Sequence, residues 1–409
     1  MPPKSLSKFI NFIFITAFLA STLTGCWNRR ELDTLGFVTA LGVDRTGEDK
    51  IEITVHIAKP FAIARATEGS VSPEKSFWVV SSTGSTAFEA IRNLLLQSPR
   101  RPFYAHNRFI VIGEECARTG VKEILDLFAR DGEARRLARV EVVKGATAKD
   151  FMQQVEFELE RLPSEGGQGI SRSVQEGLSA EPVDCTLNSF LQWLETEGVE
   201  PIAVRIDMVP KNPAAPSNVG HLLREQVKIS SKHGGAAVFK GDKLVGWLDE
   251  KEMRGVNWVT GKVRSGILVI EQPNEKGKLV SLEILRAKSK LQPEVKNGEV
   301  LVTLRIDAEA NLGEMQGTLD LVKYPQAWTE MERKMVEAIE TEVMAAISKA
   351  KELNSDIFGF GAALNRRHPE EWDSLKDRWD LEFPRIDVKL EINAKLRRMG
   401  LVTRSSEPR

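Results

Sequence analysis

An excess of basic charge is missing from this chain of 409 residues. The sequence has 57 lysines and arginines against 58 aspartates and glutamates, which gives a formal net charge of −1. Proteins that bind nucleic acid neutralise phosphates with a basic face, and this charge balance provides none. We therefore do not expect nucleic acid to be a partner.

Cysteine is scarce, and the three cysteines are Cys26, Cys116 and Cys185. Their spacing indicates neither a disulfide framework nor a metal site. Cys116 and Cys185 could pair with each other, but we expect each of them to be a buried free thiol.

Motifs for catalysis, metal binding and cofactor binding are missing as well. The five histidines include no pair at metal-binding helical spacing and no zincin motif. No serine lies in a nucleophile elbow, and Gly359-Phe360-Gly361 begins a dinucleotide fingerprint that Leu364 breaks. We therefore predict no catalytic residues, no metal site and no cofactor, and we expect that the protein is not an enzyme.

Long apolar runs are limited to one, close to the start of the chain. Lys4 and Lys8 precede an apolar core at residues 9–20, and this order is typical of a signal peptide. A membrane-spanning helix needs about 20 apolar residues, and this run is interrupted before that length by Ser21 and Thr22. The pattern therefore predicts a signal peptide at residues 1–25.

The run ends in Leu23-Thr24-Gly25-Cys26, which is typical of a lipobox. We predict that the signal peptide is cut between Gly25 and Cys26 and that the Cys26 thiol then carries diacylglycerol, with acyl chains such as palmitate. Two acyl chains anchor a protein stably, whereas one chain binds only marginally. The alternative is an uncleaved signal anchor with an incidental cysteine.

Beyond Cys26 the sequence alternates between strand and helix patterns. Residues 37–43 and 51–57 predict a hairpin, residues 62–75 and 166–169 predict loops, and residues 329–353 predict the longest helix. Alternation of this kind indicates sheets covered by helices. We predict an α+β multidomain protein with mixed or antiparallel sheets, in two to three domains.

A proline-rich stretch divides the chain near its middle. Pro210, Pro213 and Pro216 lie among lysine, asparagine, alanine and serine, a composition that favours an extended connector. We therefore predict an N-terminal α+β region at 26–210, as one domain or two, a linker at 211–224 and a C-terminal α+β domain at 225–400.

Four arginine pairs form basic clusters that a lipid tether would hold close to anionic headgroups. Solvated arginines paired with local acids are the simpler interpretation of each cluster. The pairs are Arg100-Arg101, Arg135-Arg136, Arg366-Arg367 and Arg397-Arg398.

The block at the predicted cleavage site carries a family resemblance. Cys26-Trp27-Asn28-Arg29-Arg30-Glu31-Leu32 resembles the opening of the Ger(x)C lipoproteins, the C subunits of spore germinant receptors. Further blocks resemble the same family along nearly the whole mature chain, at 41–44, 106–115, 125–131, 235–239, 244–248, 356–361 and 397–401.

The resemblance implies a lipid-anchored, non-catalytic subunit on the outer leaflet of the spore inner membrane. It implies two integral membrane partners, an A-type and a transporter-like B-type receptor subunit, and a role in nutrient-triggered germination. Two other classes stay open, a solute-binding lipoprotein of a membrane transporter and a tethered hydrolase.

Overall fold

The structure is a computed structural model, and it describes residues 9–10, 12–17, 31–47, 50–67, 75–130, 132–157, 159–211, 229–296 and 298–398. Within these ranges the chain forms two β-sheets with helices packed against them. The predicted α+β fold class, with mixed and antiparallel sheets covered by helices, is confirmed.

The first sheet has nine strands. They are β1 (Leu35–Thr46), β2 (Lys50–Ala58), β3 (Phe77–Gly84), β4 (Arg101–Phe103), β5 (Phe109–Gly113), β6 (Arg139–Val143), β7 (Ile202–Pro210), β8 (Ile229–Lys240) and β9 (Lys243–Leu248). Their order is β3-β2-β1-β5-β6-β7-β8-β9, with β4 beside the start of β1. The sheet is mixed, because β1, β5, β6 and β7 run parallel and the outer strands run antiparallel to their neighbours.

Both faces of the first sheet are covered, because successive side chains of a strand point to opposite faces. Leu41 of β1 belongs to the core of one face and Ala40 to the core of the other. The helices of this part are α1 (Pro60–Thr67), α2 (Ala87–Asn93), α3 (Glu114–Thr119), α4 (Lys122–Arg130), α5 (Ala148–Gln154), α6 (Pro163–Gly177) and α7 (Leu187–Glu195). Residues of α2, α3, α4 and α7 pack with Leu41, and residues of α5 pack with Ala40.

The second sheet is smaller and follows helix α8 (Glu250–Thr260). Its order is β10 (Ile267–Glu271), β11 (Leu279–Lys296), β12 (Glu299–Met315) and β13 (Asp387–Leu396), and β13 runs parallel to β12. The other helices are α9 (Gln326–Glu352), α10 (Phe360–Arg367), α11 (Pro369–Leu375) and α12 (Trp379–Glu382). Met331, Met335 and Ile339 of α9 recur every fourth residue and are fully buried, because this spacing places them on one helix face.

Most element predictions are confirmed, and two are wrong. The hairpin at 37–43 and 51–57 is β1 with β2, and the longest predicted helix is α9. The predicted loop from residue 62 is wrong, because α1 begins at Pro60, and proline fits the first turn of a helix. The predicted loop at 166–169 lies inside α6. A Cβ on Gly166 would come within 2.4 Å of the Phe157 ring, so the missing side chain allows that ring to pack on the helix.

The predicted linker at 211–224 lies outside the described residues except for Lys211. After it, β8 and β9 continue the first sheet, since β8 pairs antiparallel with β7 from Pro210↔Ile229 to Ile202↔Val238. The division into 26–210 and 225–400 stays a prediction, and hydrogen bonds of the first sheet cross it.

Candidate functional site

The predicted lipidation and cleavage residues, Cys26 and Gly25, lie outside the described residues. The described chain resumes at Glu31, and a 3-10 turn at Leu32–Thr34 leads directly into β1. The five residues from Cys26 to Glu31 span at most about 18 Å when fully extended. An anchor at Cys26 would therefore hold the start of β1 close to the membrane.

Strand direction defines what else lies at this end of the sheet. Because β1, β5, β6 and β7 are parallel, their amino ends lie at one edge, and β2 ends there because Val38 pairs with Ile57. Strand β4 lies at the same place, since Leu35 pairs with Arg101. We name the region formed by the amino ends of β1, β4, β5 and β6 and the carboxyl end of β2 the tether edge.

Exposed apolar side chains are concentrated on segments that enter or leave these strands. Five large apolar side chains beyond residue 30 are at least 70% exposed in the part of the chain that the structure describes. Four of them flank the tether edge: Leu32 before β1, Phe61 after β2, Leu96 in the turn before β4 and Leu137 before β6. Soluble surfaces carry single apolar residues commonly, but such a concentration marks a contact surface.

The fifth such residue, Leu159, lies on the segment between α5 and α6 and is 97% exposed. With Pro210, at the end of β7, it lines a surface pocket. The same segment also contacts the neighbourhood of the tether edge, because Arg161 donates to the Ile63 oxygen of α1 at 2.9 Å and Glu156 pairs with Lys75 at 3.2 Å.

A groove of about 400 Å³ opens where β2, β3 and the approach to β4 meet. Its walls are mostly apolar, and a guanidinium group lies at its rim. The lining residues include Ile57, Pro60, Phe61, Trp78, Pro99 and Arg100. The groove could therefore accept an apolar group that carries an anionic or polar end.

Two of the four predicted basic clusters lie at this edge. Arg101 of β4 donates to Glu133 at 3.0 Å, which also brings the loop before β6 against β4. That loop carries Arg135 and Arg136, both exposed, and the salt bridges among the described residues include neither of them. Elsewhere, Arg366-Arg367 ends α10, and Arg397 of the last cluster pairs with Glu309 at 2.5 Å.

The two other cysteines are free and buried, as the sequence predicts. Burial raises the pKa of each thiol to about 12, so neither is ionised at neutral pH. The Cys185 thiol donates to backbone oxygens of Val140 and Ile202, which fixes it between two strands.

A buried charge cluster under α6 was not predicted, because its members are far apart in sequence. Glu181 is fully buried and accepts from Arg139 Nη2 at 3.1 Å and from the Ser171 hydroxyl at 3.2 Å. His233 Nδ1 lies 3.3 Å from the same Glu181 carboxylate, and Arg139 Nε lies 3.6 Å from Glu141 Oε1. The cluster ties α6, β6 and β8 together.

The electrostatics of this cluster follow from its burial. Burial raises the pKa of Glu141, although His233 and Arg139 oppose the shift. Burial lowers the pKa of His233, but the hydrogen bond to Glu181 and the charge of Glu141 outweigh it, so the net shift is upward. Both side chains are at most 5% exposed, and we assign the cluster to holding the helix on the sheet.

Within the ranges that the structure describes, none of the helices combines the length and the apolar character that crossing a bilayer demands. The same ranges hold no set of three or more histidine, cysteine or acidic side chains arranged to bind a metal ion.

Comparison with known proteins accounts for both halves of the chain. Residues 28–208 match a family model described as the spore germination protein N-terminal domain. Residues 234–400 match the model of the spore germination B3/GerAC-like C-terminal domain. The chain belongs to the Ger(x)C family of spore germination proteins.

Relatives of this Ger(x)C protein match it over nearly their full length. It is 26% identical over 390 residues to spore germination protein KC of Bacillus subtilis (strain 168), covering 93% of each chain. It is 25% identical over 406 residues to spore germination protein B3 of the same organism, covering 98% of this chain and 99% of the relative. The crystal structure of the GerBC protein has the same fold, with a TM-score of 0.54 and 19% identity over 87% of this chain and 96% of that one.

Proposed function

We propose that this Ger(x)C protein is a lipid-anchored, non-catalytic subunit of a spore germinant receptor. In this proposal diacylglycerol on Cys26 holds the protein to the outer leaflet of the spore inner membrane. An A-type and a transporter-like B-type integral membrane subunit are its partners, and the complex supports nutrient-triggered germination. Membership of a spore germination family supports the role in germination.

The observation that carries the anchoring proposal is the short path from Cys26 to the tether edge. At most about 18 Å of extended chain separates Cys26 from Glu31, and exposed apolar and basic side chains flank the strand that follows. A short tether raises the effective concentration of the body beside membrane partners, so that modest intrinsic affinity suffices.

The test is a Cys26→Ala substitution in the full chain, expressed in sporulating cells. We expect the altered protein to fold but to leave the membrane fraction, and the spores to lose most of their response to nutrient. Mass spectrometry of the amino-terminal peptide from the unaltered protein would identify the lipid. Cys116→Ala is the matched control, because it removes a buried thiol outside the lipobox and should leave retention unchanged.

Full membrane retention together with full germination in the Cys26→Ala spores would overturn the proposal. Purification of the unaltered protein from spore membranes tests the complex separately, since multispanning A-type and B-type subunits should copurify with it. If neither copurifies and a small solute stabilises the protein against heat, the solute-binding lipoprotein becomes the better description.

A further inference from the structure

Four exposed apolar side chains and two arginine pairs lie on the segments that flank the tether edge, and the proposed anchor has no need of them. Leu32, Phe61 and Leu137 are between 70% and 75% exposed, and Leu96 is 85% exposed. Cys26 alone would suffice to hold the chain to a bilayer, because its diacylglycerol provides two acyl chains. Apolar side chains left in water at this position therefore need a separate explanation.

We infer that the tether edge is a second membrane contact, at which Phe61 and Leu137 enter the headgroup region of a phospholipid bilayer. The inference rests on the proposed anchor at Cys26 and deepens it, because it states which face of the body meets the lipid. The occupant is lipid because the chain path from Cys26 holds Glu31, which leads into β1 at this edge, within about 18 Å of the bilayer.

The charges at the edge suit an interfacial position. Arg135 and Arg136 directly precede Leu137 on an exposed loop, and Arg100 lies at the rim of the groove beside Phe61. Apolar side chains next to arginines are typical of segments that lie in the membrane interface, where the apolar groups are buried and the cations meet phosphates. Glu133 does not oppose this contact, since Arg101 pairs with it, whereas Glu31 and Asp33 lie beside Leu32 and weaken the attraction on that side.

Val322 provides the matched control. It is 68% exposed, close to the values of Phe61 and Leu137, and it lies in the turn before α9 in the second part of the molecule. Helix α9 has 27 residues and is about 40 Å long, and it is the chain after its carboxyl end that contacts the first sheet, where the Ser355 hydroxyl donates to the Phe239 oxygen. Apolar exposure alone would treat all three positions alike, whereas a membrane contact at the tether edge separates Phe61 and Leu137 from Val322.

The experiment uses the full lipidated chain, purified from membranes and reconstituted into vesicles of phosphatidylcholine with phosphatidylglycerol. Three single variants, Phe61→Cys, Leu137→Cys and Val322→Cys, are each labelled with a nitroxide. The native thiols do not interfere, because Cys116 and Cys185 are buried and Cys26 is acylated in the proposal. Collision of the nitroxide with oxygen and with a water-soluble nickel complex then reports its depth.

We expect the labels at positions 61 and 137 to lie below the bilayer surface and the label at position 322 to be fully aqueous. In a second arm, Arg135→Glu with Arg136→Glu should make the Leu137 label more aqueous, and the shift should shrink in vesicles of phosphatidylcholine alone. Flotation of the vesicles separates the two proposals. Loss of the protein from the vesicles contradicts the anchor and this contact together.

Retention on the vesicles with aqueous signals at Phe61 and Leu137 contradicts the membrane contact alone. That result would leave the anchor intact and would assign the exposed edge to a protein partner in place of lipid.

Discussion

The backbone N–H of Ala362 donates to the carbonyl oxygen of Gly198 at 2.9 Å. This bond joins the loop that leads into β7 of the first sheet to helix α10, which follows the long helix of the second part. A second backbone bond, from the Glu200 N–H to the Asp356 oxygen at 2.9 Å, lies beside it. The two parts of the molecule are therefore in direct main-chain contact.

Gly198 permits this contact, and we predict that Gly198→Ala strongly destabilises the protein. Gly198 has φ +73°, and a Cβ there would lie 2.5 Å from the backbone carbon of Gly361. The left-handed conformation costs about 1–2 kcal/mol for a non-glycine residue. With the backbone clash, we expect a total loss of about 2–4 kcal/mol in the free energy of unfolding, measured in urea.

Gly277→Ala is the matched control, because Gly277 has φ +79° and nothing lies within 4 Å of its Cβ position. It should lose only the conformational cost of about 1–2 kcal/mol. Equal losses in the two variants would show that the close approach of Gly198 to α10 contributes nothing.

Asp356 gives this junction a predicted pH dependence. Burial raises its pKa from 3.8 to about 6, although the N–H groups of Gly361 and Phe360 and the Trp379 indole oppose the shift. The folded protein therefore holds the proton more tightly than the unfolded chain. The stability from this group is present below about pH 4 and is lost as the pH rises through about 6.

Asparagine at position 356 cannot titrate, so the stability advantage of the unaltered protein over Asp356→Asn should depend on pH. We expect that advantage to shrink by up to about 3 kcal/mol between pH 4 and pH 7, as urea unfolding at both pH values would measure. Asp44, whose pKa burial also raises to about 6, is present in both proteins and cancels. Parallel stability profiles for the two proteins would contradict the assignment.

In the second part of the molecule, the buried carboxylate of Glu342 in α9 accepts hydrogen bonds from two residues of α8. Arg254 Nε donates to it at 2.9 Å, and the indole of Trp258 donates at 3.0 Å. We predict that Glu342→Ala lowers the free energy of unfolding by about 3–5 kcal/mol, because it leaves the Arg254 charge buried without a partner. Chemical unfolding followed by circular dichroism would measure the loss.

Two further variants test the reason for that loss. Glu340→Ala removes an exposed acid from the same helix and should change the stability by less than about 0.5 kcal/mol. Replacing both members of the pair, with Arg254→Met and Glu342→Leu, should recover much of the loss, since no unpaired charge remains. A double variant no better than Glu342→Ala would argue that the side-chain volume matters and the charge does not.

The buried thiols should be unreactive in the folded protein. Cys116 and Cys185 are at most 1% exposed and have pKa values near 12, so a thiol reagent at pH 8 should label neither of them without denaturant. In urea both should react, and mass spectrometry of the peptides would count the labels. Rapid labelling of Cys185 under native conditions would contradict its position between β6 and β7.

Local patterns in the sequence were sufficient for the elements but not for their arrangement. Apolar residues at every second position of 51–57 indicate a strand directly, and Met331, Met335 and Ile339, spaced four residues apart, indicate a helix. The loop prediction at Gly166 was wrong, because this glycine makes room for the Phe157 ring, which another segment brings against α6. A glycine required by packing and a glycine in a loop are indistinguishable in the sequence.

The tether edge could not be predicted for a related reason. Cys26 is recognisable because a lipobox is contiguous, but Phe61 and Leu137 reach the same edge only through the antiparallel pairing of β2 with β1 and the parallel pairing of β1, β5 and β6. The buried cluster around Glu181 likewise joins residues from 139 to 233. A contact between two segments that are far apart in the chain produces no periodic pattern in the sequence of either segment.

The pairing of β8 with β7 has a consequence for how the protein can be made. Synthesis delivers β1 to β7 first, and β7 remains an open edge with unpaired backbone groups until residues 229–240 are available. Phe239 and Leu244 also complete the core on one face of the sheet. A fragment that stops at residue 210 is therefore an aggregation-prone template, and the shortest piece that contains every strand of the first sheet extends through Leu248.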